Sequence, residues 1–317
     1  MNPILRSKLG FSTKSSPSAA KSAFKRIAVG SNRLSSPQPE GTFASVIATA
    51  IQNGVNTFET TLHKEEEMRR AVADALMFLS SRSSDQRIPG LYDRSLKIIG
   101  KVSYQTSTTD ASASAATTSG ATTSGILQEQ TENQTVYHNL SPQHISQTIQ
   151  SSPLVQLYQN ISKEPALNAV DVVYCAHNPE AQGMQLLQQD APHEEVRGFV
   201  KDQLTHAFIA LERAVAENQI GSYGVSSNGL GLASSHPMHL SWEDVLSASA
   251  EATREVHGFD CGRNENHLST VQLPANLLET HGLKVANRIK QFLASPDAQS
   301  VGGMVNLDSV EIHATRP

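Results

Sequence analysis

The sequence predicts an α/β protein built as a (β/α)8 barrel, and two observations carry this prediction. Short apolar segments of strand type alternate with segments of helical periodicity over residues 26–317. Such alternation indicates a parallel sheet with right-handed crossovers. The first strand runs into SNRLSSPQPEG, which lacks the glycine-rich phosphate turn of doubly wound nucleotide-binding folds. The barrel is therefore favoured over an open doubly wound sheet.

The first half of the chain supplies three predicted strands and two helices. Residues 26–30 (RIAVG) form the first strand, and a helix over residues 41–53 ends at Gly54, because glycine readily takes the left-handed conformation of a C-cap. The second strand (residues 55–61) runs into an amphipathic helix. The third strand is LKIIGKVSY, which is apolar enough to be buried on both faces.

The second half repeats the alternation and brings the predicted strands to seven. A Ser-Pro pair is a usual helix start and opens the first helix of this half. We predict helices over residues 141–159, 194–218, 242–257 and 283–294, and strands over residues 171–177, 221–226, 268–273 and 309–315.

Two stretches differ in composition from the predicted barrel. Residues 1–25 are rich in Ser and contain Lys and Arg but no Asp or Glu. This composition is typical of a transit peptide for the mitochondrion or plastid, and the alternative is a disordered basic tail on a cytoplasmic protein. Residues 105–136 are rich in Ser, Thr, Ala and Gly, so we expect a flexible low-complexity insertion within the single barrel domain.

Charge and cysteine content exclude several classes of function. A net charge of -5 gives no basic footprint for nucleic acid. Cys175 and Cys261 cannot form a disulfide framework, and no Cys/His spacing indicates a metal site, so a reducing compartment is expected. No apolar run approaches the roughly 18 residues of a membrane-spanning helix. The oligomeric state is not indicated.

Polar residues follow several of the predicted strands. Glu59 and His63 come after the second strand, and His177 ends the fourth. Lys101 lies within the apolar run of the third strand, where burial is costly unless a carboxylate such as Glu59 pairs with it. Because the carboxyl ends of barrel strands meet at one mouth, we expect these groups to converge. The alternatives are a lysine that reaches solvent and a histidine that only caps its strand.

These segments together resemble the aldo/keto reductase superfamily over most of the chain, from residue 26 to residue 317. GVNTFET (residues 54–60) is similar to the family's GVNFFDTA, Lys101 lies where the family has its "TK" strand, and DVVYCAHNPE is similar to DxxxxHNPE. The segment FIALERAVAENQIGSYGVSSN resembles the family's LExLvxxGKIrxxGvSN, and VQL resembles its VVQ strand.

The resemblance implies a TIM-type (β/α)8 barrel that binds NADP(H) and transfers a hydride between nicotinamide and a carbonyl carbon. Of the family's Asp, Tyr, Lys and His, Lys101 and His177 match the last two and Glu59 replaces the Asp. The Tyr position falls near Lys64, beside His63, so His63, His177 or water would be the general acid. The positions that hold the nicotinamide carboxamide in the family correspond to Ser226, Ser227, Asn228 and Gln272.

The end of the chain departs from the family pattern, because no eighth strand and no phosphate-binding loop follow Pro317. We therefore expect a truncated form of a longer protein. Our first hypothesis is an NAD(P)H-dependent oxidoreductase that acts on an aldehyde, ketone or sugar-like alcohol. The second is a non-catalytic binding or regulatory barrel, and the third is a lyase that uses Lys101 as a Schiff-base amine.

Overall fold

The structure is a computed structural model that describes residues 28–30, 42–60, 64–80, 96–108, 128–131, 134–161, 170–259, 265–275, 280–293 and 310–315. The predicted tail over residues 1–25 lies outside these ranges, and so do His63 and Cys261.

Ten strands are described, and they form two sheets. The strands are β1 (Ala28–Gly30), β2 (Thr57–Glu59), β3 (Leu96–Val102), β4 (Tyr104–Thr108), β5 (Gln128–Thr131), β6 (Gln134–His138), β7 (Val170–His177), β8 (Ser222–Ser226), β9 (Leu268–Pro274) and β10 (Glu311–Thr315).

The larger sheet holds seven strands in the order β1-β2-β3-β7-β8-β9-β10, and every neighbouring pair is parallel. Strand order follows chain order, so these strands lack the reversal that marks a doubly wound sheet. The sheet curls into a half-barrel. Among the described strands β1 and β10 are edges that do not pair with each other, so the complete eight-stranded barrel is not seen in this part of the chain.

Eight α-helices are described, and the longer ones cover the convex face of the sheet. They are α1 (Thr42–Gln52), α2 (Glu65–Ser80), α3 (Pro142–Ser151), α4 (Pro153–Ile161), α5 (Met184–Gln188), α6 (His193–Ala216), α7 (Trp242–His257) and α8 (Thr280–Leu293). None of these described helices combines the length and the apolar character that crossing a membrane requires.

The two faces of the sheet differ in chemistry. Side chains alternate along each strand, so Ile98 and Tyr174 point to the helices and join the main hydrophobic core. Ile99, Val173 and Cys175 point to the opposite, concave face and form a separate small cluster. Further positions of β3, β7, β8 and β9 that face the same way as this cluster carry polar and charged residues. The concave face is therefore the face on which a polar site can be built.

The helix that we predicted over residues 141–159 is two helices, α3 and α4. Pro153 has no N–H to donate and restricts the residue before it to extended conformations. Ser152 accordingly has φ -71° and ψ 129°, which ends α3, and its hydroxyl accepts a hydrogen bond from Leu154 N at 3.0 Å. The prediction of one helix was wrong because the effect of the internal proline was overlooked.

The predicted third strand is also divided, because Ser103 separates β3 from β4. Ser103 has φ 132°, a value that non-glycine residues rarely adopt. β4 leaves the parallel sheet and pairs with β6 in a small antiparallel sheet that includes β5. These strands lie mostly within the interval 105–136, although β4 begins at Tyr104 and β6 ends at His138, and they were not expected from its composition. Its residues 109–127 and 132–133 lie outside the described ranges.

Candidate functional site

The candidate site lies at the carboxyl ends of the parallel strands. Glu59 is the last residue of β2, His177 the last of β7 and Ser226 the last of β8. His177 is in register with Ser226, which is in register with Gln272 on β9. Lys101 on β3 is in register with Cys175, which lies two residues before His177 on the same face. The strands therefore bring five of the predicted site residues to one end of the concave face.

Lys101 and Glu59 form the ion pair that the sequence predicted. The Lys101 Nζ lies 2.6 Å from Glu59 Oε1, and the two side chains are 11% and 24% exposed. The lysine is therefore buried against its partner and does not extend into solvent. Its ammonium group is stabilised by the carboxylate, since a buried cation without a partner would be costly.

Gln272 extends this pair into a three-residue cluster. Its Nε2 donates a hydrogen bond to Glu59 Oε2 at 3.2 Å. The Oε1 of Gln272 is buried and has no hydrogen-bond partner among the described residues. A buried amide oxygen without a partner is unusual, and it marks a place for a hydrogen-bond donor.

His177 is held by contacts from three parts of the chain. Its Nδ1 lies 3.1 Å from Ser226 Oγ, and its backbone carbonyl accepts a hydrogen bond from Ser103 Oγ at 2.9 Å. The ring of His138 stacks against it, with centroids 6.2 Å apart and planes 28° apart. A hydrogen bond to one imidazole nitrogen fixes the ring orientation and influences which nitrogen carries the proton. Ser226 is therefore a positioning residue for His177.

The two residues after Ser226 make contacts that stabilise the loop. Ser227 Oγ donates to Glu180 Oε2 at 2.7 Å, and the backbone N–H of Gly229 donates to Glu180 Oε1 at 3.0 Å. Asn228 Nδ2 donates to Asn178 Oδ1 at 3.2 Å. Burial raises the pKa of the Glu180 carboxyl, while the Ser227 and backbone hydrogen bonds lower it. Ser227 and Asn228 thus join the loops after β7 and β8.

Cys175 lies beneath the cluster on the concave face. Its side chain is fully buried, and this burial raises the pKa of the thiol to about 12, although nearby Lys101 acts in the opposite direction. A thiol with such a high pKa is almost entirely protonated at neutral pH and is a poor nucleophile. Cys175 is therefore a packing residue of the site.

A second polar contact crosses the concave face near the amino ends of the strands. Lys97 Nζ on β3 lies 3.1 Å from Glu311 Oε2 on β10. A hydrogen bond from His313 and the charge of Lys97 lower the pKa of Glu311 to about 2. Burial raises the pKa of Asp171, which is in register with Lys97, and the charge of Lys97 partly offsets this effect. The concave face therefore carries charged groups near both ends of β3, with the cluster of Ile99, Val173 and Cys175 between them.

Comparison with known proteins identifies no relative. No protein-family model, curated protein or solved structure matches this chain. The likeness to aldo/keto reductases rests on the sequence segments alone, and a function has to be argued from the site.

Sequence reasoning missed His138 and Ser103 as members of the site. His138 ends β6, in the small antiparallel sheet, and Ser103 lies at the point where β4 leaves β3. No periodic pattern marks either residue. Ser103 lies beside His177 through the pairing of β3 with β7, whereas His138 lies in the small antiparallel sheet. The glutamate of HNPE was in the quoted sequence segment, but its buried contacts with the Gly229 turn could not be read from it.

The arrangement provides a cation and an imidazole on neighbouring strands of one face. An ammonium group with N–H donors beyond its ion pair can stabilise negative charge that develops on an oxygen atom. An imidazole in the same site can donate a hydrogen bond or a proton near neutral pH. This pair of groups suits the polarisation of a carbonyl oxygen.

Proposed function

We propose that this protein is an NAD(P)H-dependent oxidoreductase of aldo/keto reductase type. It would transfer a hydride between nicotinamide and an aldehyde, a ketone or a sugar-like alcohol. The observation that supports this most is the Lys101–Glu59–Gln272 cluster, because the ion pair of 2.6 Å and the amide contact of 3.2 Å lie on the same face as His177. The order of these residues along the chain also follows the resemblance in sequence.

The unpartnered oxygen of Gln272 suits a nicotinamide cofactor. The carboxamide of nicotinamide carries an N–H donor pair, and Gln272 Oε1 is a buried acceptor without a described partner. Gln272 would hold the carboxamide through this oxygen while its Nε2 remains on Glu59. The reduced cofactor would supply the hydride.

Lys101 and His177 would act on the substrate oxygen. The Lys101 ammonium, fixed by Glu59, would stabilise the negative charge that grows on this oxygen as the carbonyl carbon gains the hydride. His177, oriented by Ser226, would donate a second hydrogen bond. The proton that completes the alcohol would come from His177, from His63 or from water, and His63 lies outside the described residues.

A non-catalytic binding module is the second candidate, and one observation favours it. Ser227, which was predicted to contact nicotinamide, is 2% exposed, and its hydroxyl donates to Glu180. Asn228 donates to Asn178. Both residues stabilise loops in this way. A protein with these contacts could keep the polar concave face as a ligand-binding surface and lack turnover.

The ion pair argues against the lyase hypothesis. A Schiff base forms when the amine nitrogen attacks a carbonyl carbon, and the Lys101 Nζ is held 2.6 Å from Glu59 Oε1 in a side chain that is only 11% exposed. Borohydride reduction in the presence of a carbonyl compound should therefore leave Lys101 unmodified, as measured by peptide mass spectrometry.

A cofactor titration tests the proposal. NADPH and NADH are added to the full chain while nicotinamide fluorescence is followed, for the unaltered protein and for Gln272→Leu and Lys101→Met. We expect saturable binding of NADPH that Gln272→Leu weakens. Lys290→Met is the matched control, because Lys290 is exposed at the end of α8. An absence of binding by the folded protein would refute a nicotinamide-dependent function.

Turnover separates the two candidates. Oxidation of NADPH is followed by absorbance with a panel of aldehydes and ketones. An enzyme should lose about 10²-fold or more in kcat on Lys101→Met, because removal of one oxyanion donor has an effect of this size. NADPH binding without turnover of any carbonyl compound would favour the binding module.

A further inference from the structure

Three side chains of metal-ligand type meet at the end of the sheet opposite the Lys101 cluster. Glu212 lies near the end of α6, His257 is the last residue of α7, and His267 directly precedes β9. Because β9 runs parallel to its neighbours, the start of β9 lies at the amino ends of the strands. This group is therefore separate from the site at the carboxyl ends.

Both histidines face the same carboxylate oxygen. Glu212 Oε1 lies 3.1 Å from His257 Nε2 and 2.5 Å from His267 Nδ1. The two rings have centroids 6.0 Å apart, and the three ligand atoms all lie within 4.8 Å of one another. Three donor atoms from three separate elements thus converge on one small volume.

The carboxylate is buried while the histidines reach the surface. The Glu212 side chain is 0% exposed, whereas those of His257 and His267 are 20% and 30% exposed. Burying a carboxylate without partners costs folding free energy, so a buried carboxylate needs cations or hydrogen-bond donors beside it. The site has a buried anionic floor and two imidazoles toward solvent, an arrangement that lets an ion enter and retain a water molecule.

A further layer of contacts orients the carboxylate. The hydroxyl of buried Tyr223 interacts with Glu212 and lies 3.0 Å from Ser249 Oγ. The backbone N–H of His267 points to Glu212 Oε2 at 3.5 Å. Ligating carboxylates in metal sites are commonly held by such second contacts, which fix their orientation before the ion arrives.

We propose that Glu212, His257 and His267 bind a divalent transition metal ion, with Zn²⁺ as the first candidate and water as the fourth ligand. With zinc bonds of about 2.0–2.1 Å, tetrahedral ligand atoms lie about 3.3 Å apart. The distance of 3.1 Å from Glu212 Oε1 to His257 Nε2 is close to this value. The distance of 2.5 Å to His267 Nδ1 is shorter, so the His267 ring must move outward by about 0.8 Å to admit the ion. Two imidazoles favour zinc over magnesium and calcium, which prefer oxygen ligands.

Binding of an ion changes which nitrogen of each imidazole ring carries a hydrogen. In the absence of metal the ring nitrogens donate to Glu212, whereas a bound ion requires their lone pairs. The hydrogen on each ligating nitrogen moves to the other ring nitrogen or is released to solvent. The ion would join α6, α7 and β9 and so stabilise the amino end of the half-barrel.

The three ligand residues are too far apart in the sequence to form a recognisable metal-binding motif. Glu212 and His257 are 45 residues apart, and His267 follows later still. Ligand pairs within a few residues of each other are the only kind that a sequence pattern reveals, so a site assembled from two helix ends and a strand start leaves no local signal.

The test uses the full chain without a polyhistidine tag, stripped of metal with a chelator. Co²⁺ is titrated and followed by its visible absorption, and Zn²⁺ is titrated and followed by Tm. We expect one ion per chain and a Tm increase of roughly 5–10 °C at a hundredfold excess of Zn²⁺ over Kd. His257→Gln and His267→Gln should each weaken binding by about tenfold or more.

His206→Gln is the matched control, because His206 is an exposed residue of α6. Far-UV circular dichroism of each variant shows whether it folds, and His257 is the safer position since it ends its helix. An absence of saturable binding by the folded chain would overturn the proposal. Equal affinities of His257→Gln, His267→Gln and His206→Gln would also overturn it.

Discussion

Gln272 on β9 donates a hydrogen bond to Glu59 on β2 at 3.2 Å, although three strands separate β2 from β9 in the sheet. Lys97 on β3 and Glu311 on β10 make a similar contact at 3.1 Å, also across three intervening strands. Such contacts are possible only because the sheet curls strongly enough for its concave side chains to meet. The candidate site therefore depends on the curvature of the whole sheet.

Loss of Glu59 should destabilise the protein more than loss of Lys101. Glu59→Gln leaves a lysine that is 11% exposed without its anion, which we expect to cost about 1–3 kcal/mol in the free energy of unfolding. Lys101→Met leaves a carboxylate that is 24% exposed and still bonded to Gln272, so its cost should be smaller. Urea unfolding of both variants measures the difference.

The double variant tests whether the two residues act as a pair. Because the partner is already missing, Glu59→Gln combined with Lys101→Met should cost less than the sum of the single changes. Strict additivity, or a larger effect of Lys101→Met than of Glu59→Gln, would contradict the ion-pair interpretation.

The stability of the protein should depend on the ionisation of Glu65. This residue of α2 is 1% exposed and contacts Ser152 and Tyr174 at 2.7 and 2.9 Å. Burial raises its pKa from 4.5 to about 7. Between pH 4.5 and pH 7 this carboxyl is ionised in the unfolded chain but still protonated in the folded protein. The free energy of unfolding should therefore fall as pH rises through this range, and Glu65 should account for about 3 kcal/mol of the decrease.

Glu65→Gln should remove that part of the pH dependence. Thermal or urea unfolding at pH values from 4.5 to 8 measures it. Glu67→Gln is the control, because Glu67 is an exposed neighbour on the same helix. If both variants kept the slope of the unaltered protein, the raised pKa would be refuted.

Two glycines should respond to alanine in opposite directions. A Cβ at Gly224 of β8 would lie 2.2 Å from the Thr270 backbone oxygen and 3.0 Å from Cys175 Sγ. Gly224→Ala should therefore destabilise the protein by about 1–3 kcal/mol, since the close atom belongs to the backbone and cannot move alone. It should also disturb the register on which the site is built.

Gly198→Ala is the matched comparison. Gly198 lies in α6 and is exposed, and a Cβ there has nothing within 4 Å. Alanine favours a helix over glycine by about 0.5–1 kcal/mol, so this variant should be more stable than the unaltered protein. A Tm comparison of the two variants measures both effects, and a lower Tm for Gly198→Ala would contradict the helix assignment.

Cys175 should resist alkylation in the folded protein. Its thiol is buried, and its pKa of about 12 leaves very little thiolate at pH 8. Iodoacetamide labelling followed by mass spectrometry of the peptide that contains Cys175 should show modification only after unfolding in guanidinium chloride. Rapid labelling under native conditions would mean that the concave face opens readily.

Local signals explain why the boundaries of some elements were predicted well. The helix over residues 242–257 was predicted with its observed bounds. Ser241 caps it by accepting a hydrogen bond from Asp244 N at 3.0 Å, and Gly258 follows it with φ 90°. Capping residues act within one turn, so they can be read from the sequence.

The candidate site was predictable only in part. Pairing of Lys101 with Glu59 could be inferred, because the two residues lie on adjacent strands and have opposite charge. The contact of Gln272 with Glu59 could not, because it requires the curvature of five strands. His138 could not be predicted for a related reason, because it lies in the small antiparallel sheet and its ring stacks against His177 only in the folded protein.

The strand order of the larger sheet, which follows the chain order, suits a protein that folds as it is synthesised. Each strand of this sheet after β1 pairs with a strand that has already been synthesised, so the sheet can grow by one strand at a time as the nascent chain lengthens. Gln272 reaches Glu59 only after 213 further residues have been added. Most of the sheet is therefore synthesised before the cluster can form, whereas the pair of Glu59 with Lys101 can form much earlier.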